Sequence, residues 1–199
     1  MDYGGRGLVE LLPAEAGVPA AERHANRFVT GTEQQTQFEL VMMPHLDAAY
    51  NLARWLAGND HDAKDIAQEA FLRALRFFDG YHGGNSRSWL LTIVRNTAFS
   101  WLKKNRPAAI VSIPDETLEK VEAPAGSDSV ASKADASVVR AALESLPTEF
   151  REALVLRELE GFSYKEIAEV ADVPVGTVMS RLARGRRLLQ EYFQKKGET

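Results

Sequence analysis

The sequence contains no cysteine, no long hydrophobic run and few strand signals. Because none of its 199 residues is a cysteine, the chain can form no disulfide, no thiolate nucleophile and no cysteine-ligated zinc site. No segment approaches the roughly 18 to 20 uncharged apolar residues that a membrane span needs, and the N-terminus lacks the basic and then apolar pattern of a signal peptide. We therefore expect a cytoplasmic protein with no membrane insertion of its own.

The residue patterns of common active sites are also missing. The four histidines, His24, His45, His61 and His82, have no metal-ligand spacing, and isolated histidines usually serve packing or lie on the surface. The sequence has no serine-histidine-aspartate elbow, no P-loop and no glycine fingerprint. We predict that the chain is not an enzyme, holds no metal and needs no cofactor.

Charge is distributed unevenly along the chain. The formal net charge of -4 would argue against a nucleic-acid partner if it were spread evenly. However, residues 80–106 contain five basic residues and no acidic one, and residues 174–199 contain six basic and two acidic residues. Two separate basic patches in an acidic chain predict two surfaces that meet anionic partners.

Helical periodicity divides the chain into two modules, residues 37–106 and 136–199. Residues 1–36 show no sustained period and are predicted to be a mobile tail. Residues 107–135 contain three of the eight prolines, many small residues and a net charge of -4, which is typical of a linker. The predicted fold class is therefore all-α, with two small helical domains joined by a flexible linker.

Three helices are predicted in the first module. The first begins near Phe38, is broken or restarted at Pro44 and ends at residues 58–59, where Gly and Asn offer a stop. The second covers about residues 60–78. A glycine-rich loop follows, and the third helix covers about residues 87–104.

Four helices are predicted in the second module, over about residues 136–144, 148–159, 164–171 and 175–192. Ser163 and Glu166 have the spacing of a capping box, in which each side chain satisfies a free backbone amide of the other residue. A short helix starting there, a tight turn and a longer helix have helix-turn-helix spacing.

The last of these helices has two different faces. A predicted buried stripe contains Val175, Val178, Leu182 and Leu189, with the small Gly185 between the last two. The other side carries hydroxyl and guanidinium groups, from Thr177, Ser180, Arg181, Arg184 and Arg187. These groups can bind phosphates and base edges in a major groove. A solvated basic face is a simpler explanation, but the capping box and the turn favour DNA contact.

The segment LPTEFREALVLRELEGFSYKEIAEVADVPVGTVMSRLARGRRLL closely resembles region 4 of sigma-70-family transcription initiation factors, in particular the extracytoplasmic-function (ECF) group. The elements LP-x-x-x-R, EG-x-S-Y-x-EIA and VP-x-GTV-x-SRL-x-R-x-R occur together and in order. The resemblance implies that this module reads the promoter -35 element through Thr177, Ser180, Arg181 and Arg184. Met179 departs from the lysine or arginine that relatives often carry there.

The first module is similar to region 2 of the same family, through DAKDIAQEAFLRAL and SWLLTIVRN. The resemblance implies that Asp62, Asp65, Gln68 and Glu69 dock on the coiled coil of the largest RNA polymerase subunit. The residues alone have a simpler explanation, because acids near a helix start and bases near its end complement the helix dipole. The docking prediction therefore depends on the resemblance.

A -10 element must be melted, and single strands are held by stacking side chains and a positive groove. The first module offers both features. The glycine loop carries an aromatic ring for stacking, and the basic helix after it supplies the positive groove. The resemblance implies that a flipped base is captured here, with Asn96 at a base edge and Arg95 at a phosphate. The predicted -10 residues are Tyr81, His82, Arg87, Arg95, Asn96 and Lys103.

The leading hypothesis is an ECF-type sigma factor of a stress response, which recruits core RNA polymerase to promoter DNA. The resemblance further implies regulation by an anti-sigma factor. The first alternative is a conventional helix-turn-helix regulator whose N-terminal helices dimerise or sense a ligand. The second is a protein-interaction adaptor whose basic helices meet an acidic partner. The combination of DAKDIAQE, loop and basic helix favours the sigma factor, because a dimerisation domain does not need it.

Overall fold

A computed structural model describes residues 31–107 and 136–197, and every regular element in these two ranges is helical. The predicted all-α class is confirmed. Residues 1–30 of the predicted tail, and the predicted linker apart from Pro107, lie outside the described residues. Within these ranges no helix is long and apolar enough to cross a membrane.

Helix α1, Gly31–Met42, starts within the last six residues of the segment predicted as a tail and continues into the first module. Its first turns are rich in Glu and Gln, which are good helix formers although they give no apolar period. A 3-10 turn, Met43–His45, contains the proline and separates α1 from α2, Leu46–Ala57. The predicted break at Pro44 is therefore confirmed.

Helices α3 and α4 complete the first module, and both start at an asparagine cap. Helix α3 covers Asp60–Arg76, and the side chain of Asn59 accepts a hydrogen bond from the Asp62 amide at 2.9 Å. A 3-10 turn at Phe78–Gly80 leads to the loop before α4, Ser86–Asn105. Side-chain acceptors at these positions satisfy backbone amides that have no partner inside the helix.

The buried side of the first helical segment matches the predicted apolar spacing only in part. The apolar spacing predicts a buried stripe of Val41, Leu46, Ala49, Ala53 and Leu56. Ala49, Ala53 and Leu56 are buried, whereas Leu46 is exposed. Met42 and Leu52 are fully buried and were not in the predicted stripe. The 3-10 turn changes the helical phase, so residues before and after Pro44 do not share one face.

The second module contains α5, Ala136–Glu144, followed by α6, Thr148–Leu154, which continues into a π-helical turn at Val155–Leu159. Helices α7, Tyr164–Ala171, and α8, Val175–Gly197, form the helix-turn-helix. Both halves of the predicted capping box at the start of α7 are present. Helix α8 continues beyond the predicted end at residue 192.

The two modules pack against each other within one compact unit that starts at Gln37. Helix α4 lies against α7, and α2 lies against α6. A guanidinium nitrogen of Arg151 in α6 donates a hydrogen bond to the carbonyl oxygen of Trp55 in α2, at 2.9 Å. The fold therefore brings the basic helix of the first module next to the helix-turn-helix.

Candidate nucleic-acid interface

The inner face of α8 is wider than the predicted stripe. Val178 and Leu182 are buried as expected, but Val175 is 38% exposed and Thr177 is only 8% exposed. The prediction that Thr177 projects outward is wrong. The reason is that α8 packs against both α6 and α7, so two adjacent strips of its surface are covered rather than one.

Arg181 also points inward, contrary to the prediction of an exposed guanidinium. Its side chain is 13% exposed and forms ion pairs with Glu149, at 3.7 Å, and Glu152, at 3.8 Å. The ion pair with Glu152 joins α8 to a residue that is itself only 1% exposed. Arg181 is thus part of a buried ionic cluster in this arrangement.

The outer face of α8 keeps three of the five predicted -35 residues at least partly exposed. Ser180 is half-buried and its hydroxyl donates to the Gly176 carbonyl oxygen at 2.9 Å. Arg184 is half-buried, and Arg187 is exposed with Glu191 at 3.6 Å. Hydroxyl and guanidinium groups therefore remain along this face.

Tyr81 belongs to an aromatic cluster beside the glycine loop. Its ring stacks on Phe78, with centroids 5.8 Å apart, and contacts Trp89 at 5.3 Å. Its hydroxyl donates to the carbonyl oxygen of Gly84 at 3.0 Å. The next residue, His82, is exposed. The cluster holds the Tyr81 ring in place, whereas the loop residues that follow it are exposed to solvent.

Arg87 is turned toward the second module. One guanidinium nitrogen donates to the carbonyl oxygen of Glu160 at 2.8 Å, and another pairs with the carboxylate of the same residue. The guanidinium carbon also lies 4.9 Å from the ring centre of Phe162. This predicted -10 residue is therefore hydrogen-bonded to the residue that follows the π turn.

Arg95 makes the second ionic contact between the modules. Its Nε donates to Glu152 Oε1 at 2.8 Å, while its guanidinium carbon lies 4.4 Å from the ring centre of Phe99. Asn96 accepts a hydrogen bond from Arg95 at 3.3 Å and is exposed, as is Lys103. The predicted -10 residues thus comprise an exposed set, the packed Tyr81 and two arginines that contact the second module.

Glu152 joins the predicted -10 and -35 surfaces, and the site prediction missed it. Its carboxylate lies between Arg95 of α4 and Arg181 of α8. Burial raises its pKa, and the two neighbouring guanidinium charges oppose that rise. A sequence signal exists, because Glu152 lies one turn from buried Thr148 and Leu156 on the inner face of α6.

The four predicted docking residues also separate into two groups. Asp65, Gln68 and Glu69 are exposed on one side of α3. Asp62 is largely covered, because its carboxylate accepts hydrogen bonds from Asn59 at 2.6 Å and Arg106 at 2.9 Å. Asp62 therefore helps to fix the start of α3, and the outward acidic surface consists of Asp65 and Glu69, with the neutral Gln68 beside them.

Across the described ranges no three His, Cys, Asp or Glu side chains are grouped as a metal site. The geometry defines a helical protein with two modules, a helix-turn-helix with a partly basic outer face and a separate acidic face. That combination is typical of a DNA-binding protein that also binds a second macromolecule.

Comparison with known proteins specifies the family. The family model of Sigma-70 region 2 matches residues 41–107, and that of Sigma-70, region 4 matches residues 137–189. The chain is 37% identical over 142 residues to the ECF RNA polymerase sigma-E factor of Escherichia coli K12, covering 67% of this chain and 74% of that protein. The chain belongs to the ECF group of the sigma-70 family of non-catalytic initiation factors.

A longer relative and one solved structure agree with this assignment, and a second solved structure shares the fold. The ECF RNA polymerase sigma factor SigE of Mycolicibacterium smegmatis is 37% identical over 153 residues, which span 76% of this chain but 59% of that protein. The sigma factor RpoE of Bartonella quintana, solved with the anti-sigma factor NepR, matches at 28% identity and a TM-score of 0.63, over 80% of this chain and 98% of that one. CnrH, solved with the cytosolic domain of CnrY, shares the fold at 23% identity and a TM-score of 0.59, over 83% and 92% of the two chains.

Proposed function

We propose that this chain is a dissociable initiation subunit that recruits core RNA polymerase to specific promoters in the cytoplasm. The observation that carries the proposal is the presence, in one chain, of an outward acidic face on α3 and a helix-turn-helix whose α8 keeps Ser180 and Arg187 accessible. A conventional regulator would need the second feature but not the first. Family membership supports both roles.

In this proposal α8 reads the -35 element from the major groove. The second helix of a helix-turn-helix places its N-terminal residues at base edges, while flanking basic side chains hold phosphates. Ser180, Arg184 and Arg187 lie at least partly exposed on the outer face, where such contacts would form. Thr177 and Arg181 take part only if their present packing changes.

The first module reads and melts the -10 element. His82, Asn96 and Lys103 lie exposed around the loop and along α4, where an aromatic or amide group can hold an unstacked base and an ammonium can hold phosphate. Arg87 and Arg95 join this surface when they leave their glutamate partners. The chain supplies no bond-breaking chemistry, which belongs to the polymerase.

Regulation by an anti-sigma factor is part of the same proposal. The Bartonella sigma factor that this chain resembles was solved with such a partner. The surfaces that a partner must cover to block activity are the acidic face of α3 and the outer face of α8. A cytoplasmic protein or domain that buries both would hold the chain inactive.

In vitro transcription tests the function directly. Purified core polymerase, the purified chain and a promoter library are expected to give promoter-specific transcripts that core polymerase alone does not give. The double variant Asp65→Ala, Gln68→Ala should lose core binding and transcription together. Lys64→Ala, an exposed change on the same helix, is the matched control and should keep both.

Two results would contradict the proposal. If core polymerase is not retained by the tagged chain and no promoter-specific transcript appears, the chain is not an initiation subunit. If the chain binds DNA specifically but acts only on transcription by another holoenzyme, it is a conventional regulator.

A further inference from the structure

The first turns of α8 present an apolar outer surface. Val175 is 38% exposed and Met179 is 47% exposed, and residues four apart on a helix lie next to each other on the same face. Gly176 beside them has no heavy atom within 4 Å of the position that a Cβ would take. The two side chains therefore form a small uncovered apolar patch at the start of the helix-turn-helix's second helix.

The surroundings of this patch indicate that its binding partner is a polyanion rather than an apolar protein surface. Residues 174–199 contain six basic and two acidic residues. Ser180 and Arg187 lie at least partly exposed further along α8. The patch is also continuous with the surface that the proposed function assigns to the -35 element. DNA in a major groove is thus the occupant that fits the position and the charge.

The chemistry of the two side chains limits what they can read there. Neither valine nor methionine carries a hydrogen-bond donor, so they cannot make the paired hydrogen bonds that identify guanine or adenine. The C5-methyl group of thymine is the apolar group that base pairs present in the major groove. An apolar contact with this methyl is the specific contact that remains available.

We propose that Val175 and Met179 form an apolar reader of thymine methyl groups in the -35 element. This inference rests on the proposed function, because it requires α8 to lie in the major groove. It names a specificity contact that differs from the hydroxyl and guanidinium contacts expected from the sequence. It also predicts that thymine is selected at the positions facing the start of α8.

Uracil substitution tests the proposal, because it removes only the methyl group. A duplex library with a randomised -35 element is first enriched on holoenzyme assembled from core polymerase and this chain. The enriched duplex is then synthesised with thymine or with uracil in that element. The thymine duplex should bind about four-fold more tightly for each methyl that is contacted, from the usual free energy of burying one such group.

Variants separate protein readout from changes in the DNA itself. Met179→Ala and Val175→Ala should each reduce the preference for thymine over uracil, whereas Leu159→Ala, an exposed apolar change outside α8, should keep it. If both α8 variants retain the full preference, the methyl acts through DNA shape and the proposal is overturned.

The remaining outcomes distinguish the proposal from the function on which it rests. An enriched element that binds equally well with thymine and uracil, or that contains no thymine, overturns methyl readout but leaves -35 recognition standing. A library that gives no enriched element at all contradicts -35 recognition itself.

Discussion

At the scale of single residues, Gly185 marks the closest approach of α8 to α6. A Cβ at this position would lie 2.8 Å from Leu154 Cδ1 and 3.2 Å from Leu154 Cγ. Leu154 is buried, so it has little room to move. We expect Gly185→Ala to lower the free energy of unfolding by about 1 to 3 kcal/mol of overpacking, reduced by up to about 1 kcal/mol of gained helix propensity. Urea denaturation followed by circular dichroism measures the change.

Gly176→Ala is the matched control for this prediction. It makes the same substitution in the same helix, but no heavy atom lies within 4 Å of the added Cβ. Its stability should be unchanged or slightly higher, because alanine is the better helix former. Equal destabilisation by both variants would show that the contact with Leu154 is not the cause.

The spacing of α8 predicted that Gly185 lies on the buried side, and this prediction is confirmed. The same spacing was wrong for Thr177 and Arg181. Periodicity gives one direction of burial for a helix, whereas α8 is covered by two neighbouring helices. A buried arginine also needs a buried acid, and that partner, Glu152, comes from another helix.

At the scale of secondary-structure elements, the start of α7 depends on the Glu166 carboxylate. Glu166 accepts hydrogen bonds from the Ser163 amide at 2.8 Å and from Asn85 at 2.8 Å. The Ser163 amide is the main cause that holds the pKa of Glu166 below its ordinary value. The stabilisation should be fully present above the ordinary pKa of a glutamate and should be lost as the pH falls through the lowered pKa.

Glu166→Gln should therefore flatten the acid side of the stability profile. The measurement is the free energy of unfolding at several pH values from neutral to below about 4. Glu169→Gln, an exposed change of the same charge on the same helix, controls for net charge and should keep the wild-type slope. A Glu166→Gln profile as steep as wild type would mean that the cap does not titrate with folding.

Helix starts and breaks were predicted correctly where they depend on the backbone preference or capping side chain of nearby residues. The break at Pro44 and the capping box at residues 163–166 are confirmed because each depends on neighbouring residues only. The π turn at Val155–Leu159 was predicted as ordinary helix. No local signal marks it, and it lies where α6 leads to Glu160 and the contact with Arg87.

At the scale of the whole molecule, the contacts that join the modules were beyond sequence reasoning. The Arg95–Glu152 hydrogen bond joins residues 57 apart, and the contact of Arg87 with the Glu160 carbonyl joins residues 73 apart. Neither pair follows a local pattern. The result is that two predicted -10 arginines contact the second module, while the apolar patch and Arg187 on α8 stay accessible.

This arrangement makes promoter binding and module packing compete for the same arginines. A DNA phosphate competes with Glu160 for Arg87, because a paired phosphate contact would use the guanidinium edge that now faces Glu160. Removing one partner of a largely covered ion pair weakens the contact and leaves the other charge unpaired. Glu160→Gln should therefore loosen the packing of the modules in the free chain, although the carbonyl contact of residue 160 and the Arg95–Glu152 contact remain.

Energy transfer between two dyes measures this loosening, and the absence of cysteine makes the labelling specific. Lys64→Cys on α3 and Lys165→Cys on α7 provide exposed sites, one on each module. Glu160→Gln should lower the transfer efficiency, whereas Glu158→Gln, whose partner Arg186 lies in the same module at 2.7 Å, should not. Because the two variants change the same charge two positions apart, equal efficiencies in both would show that the Arg87 contact does not hold the modules together. Adding core polymerase together with promoter DNA should then lower the efficiency of the unmodified chain toward that of Glu160→Gln, because a phosphate contact of Arg87 requires the same opening.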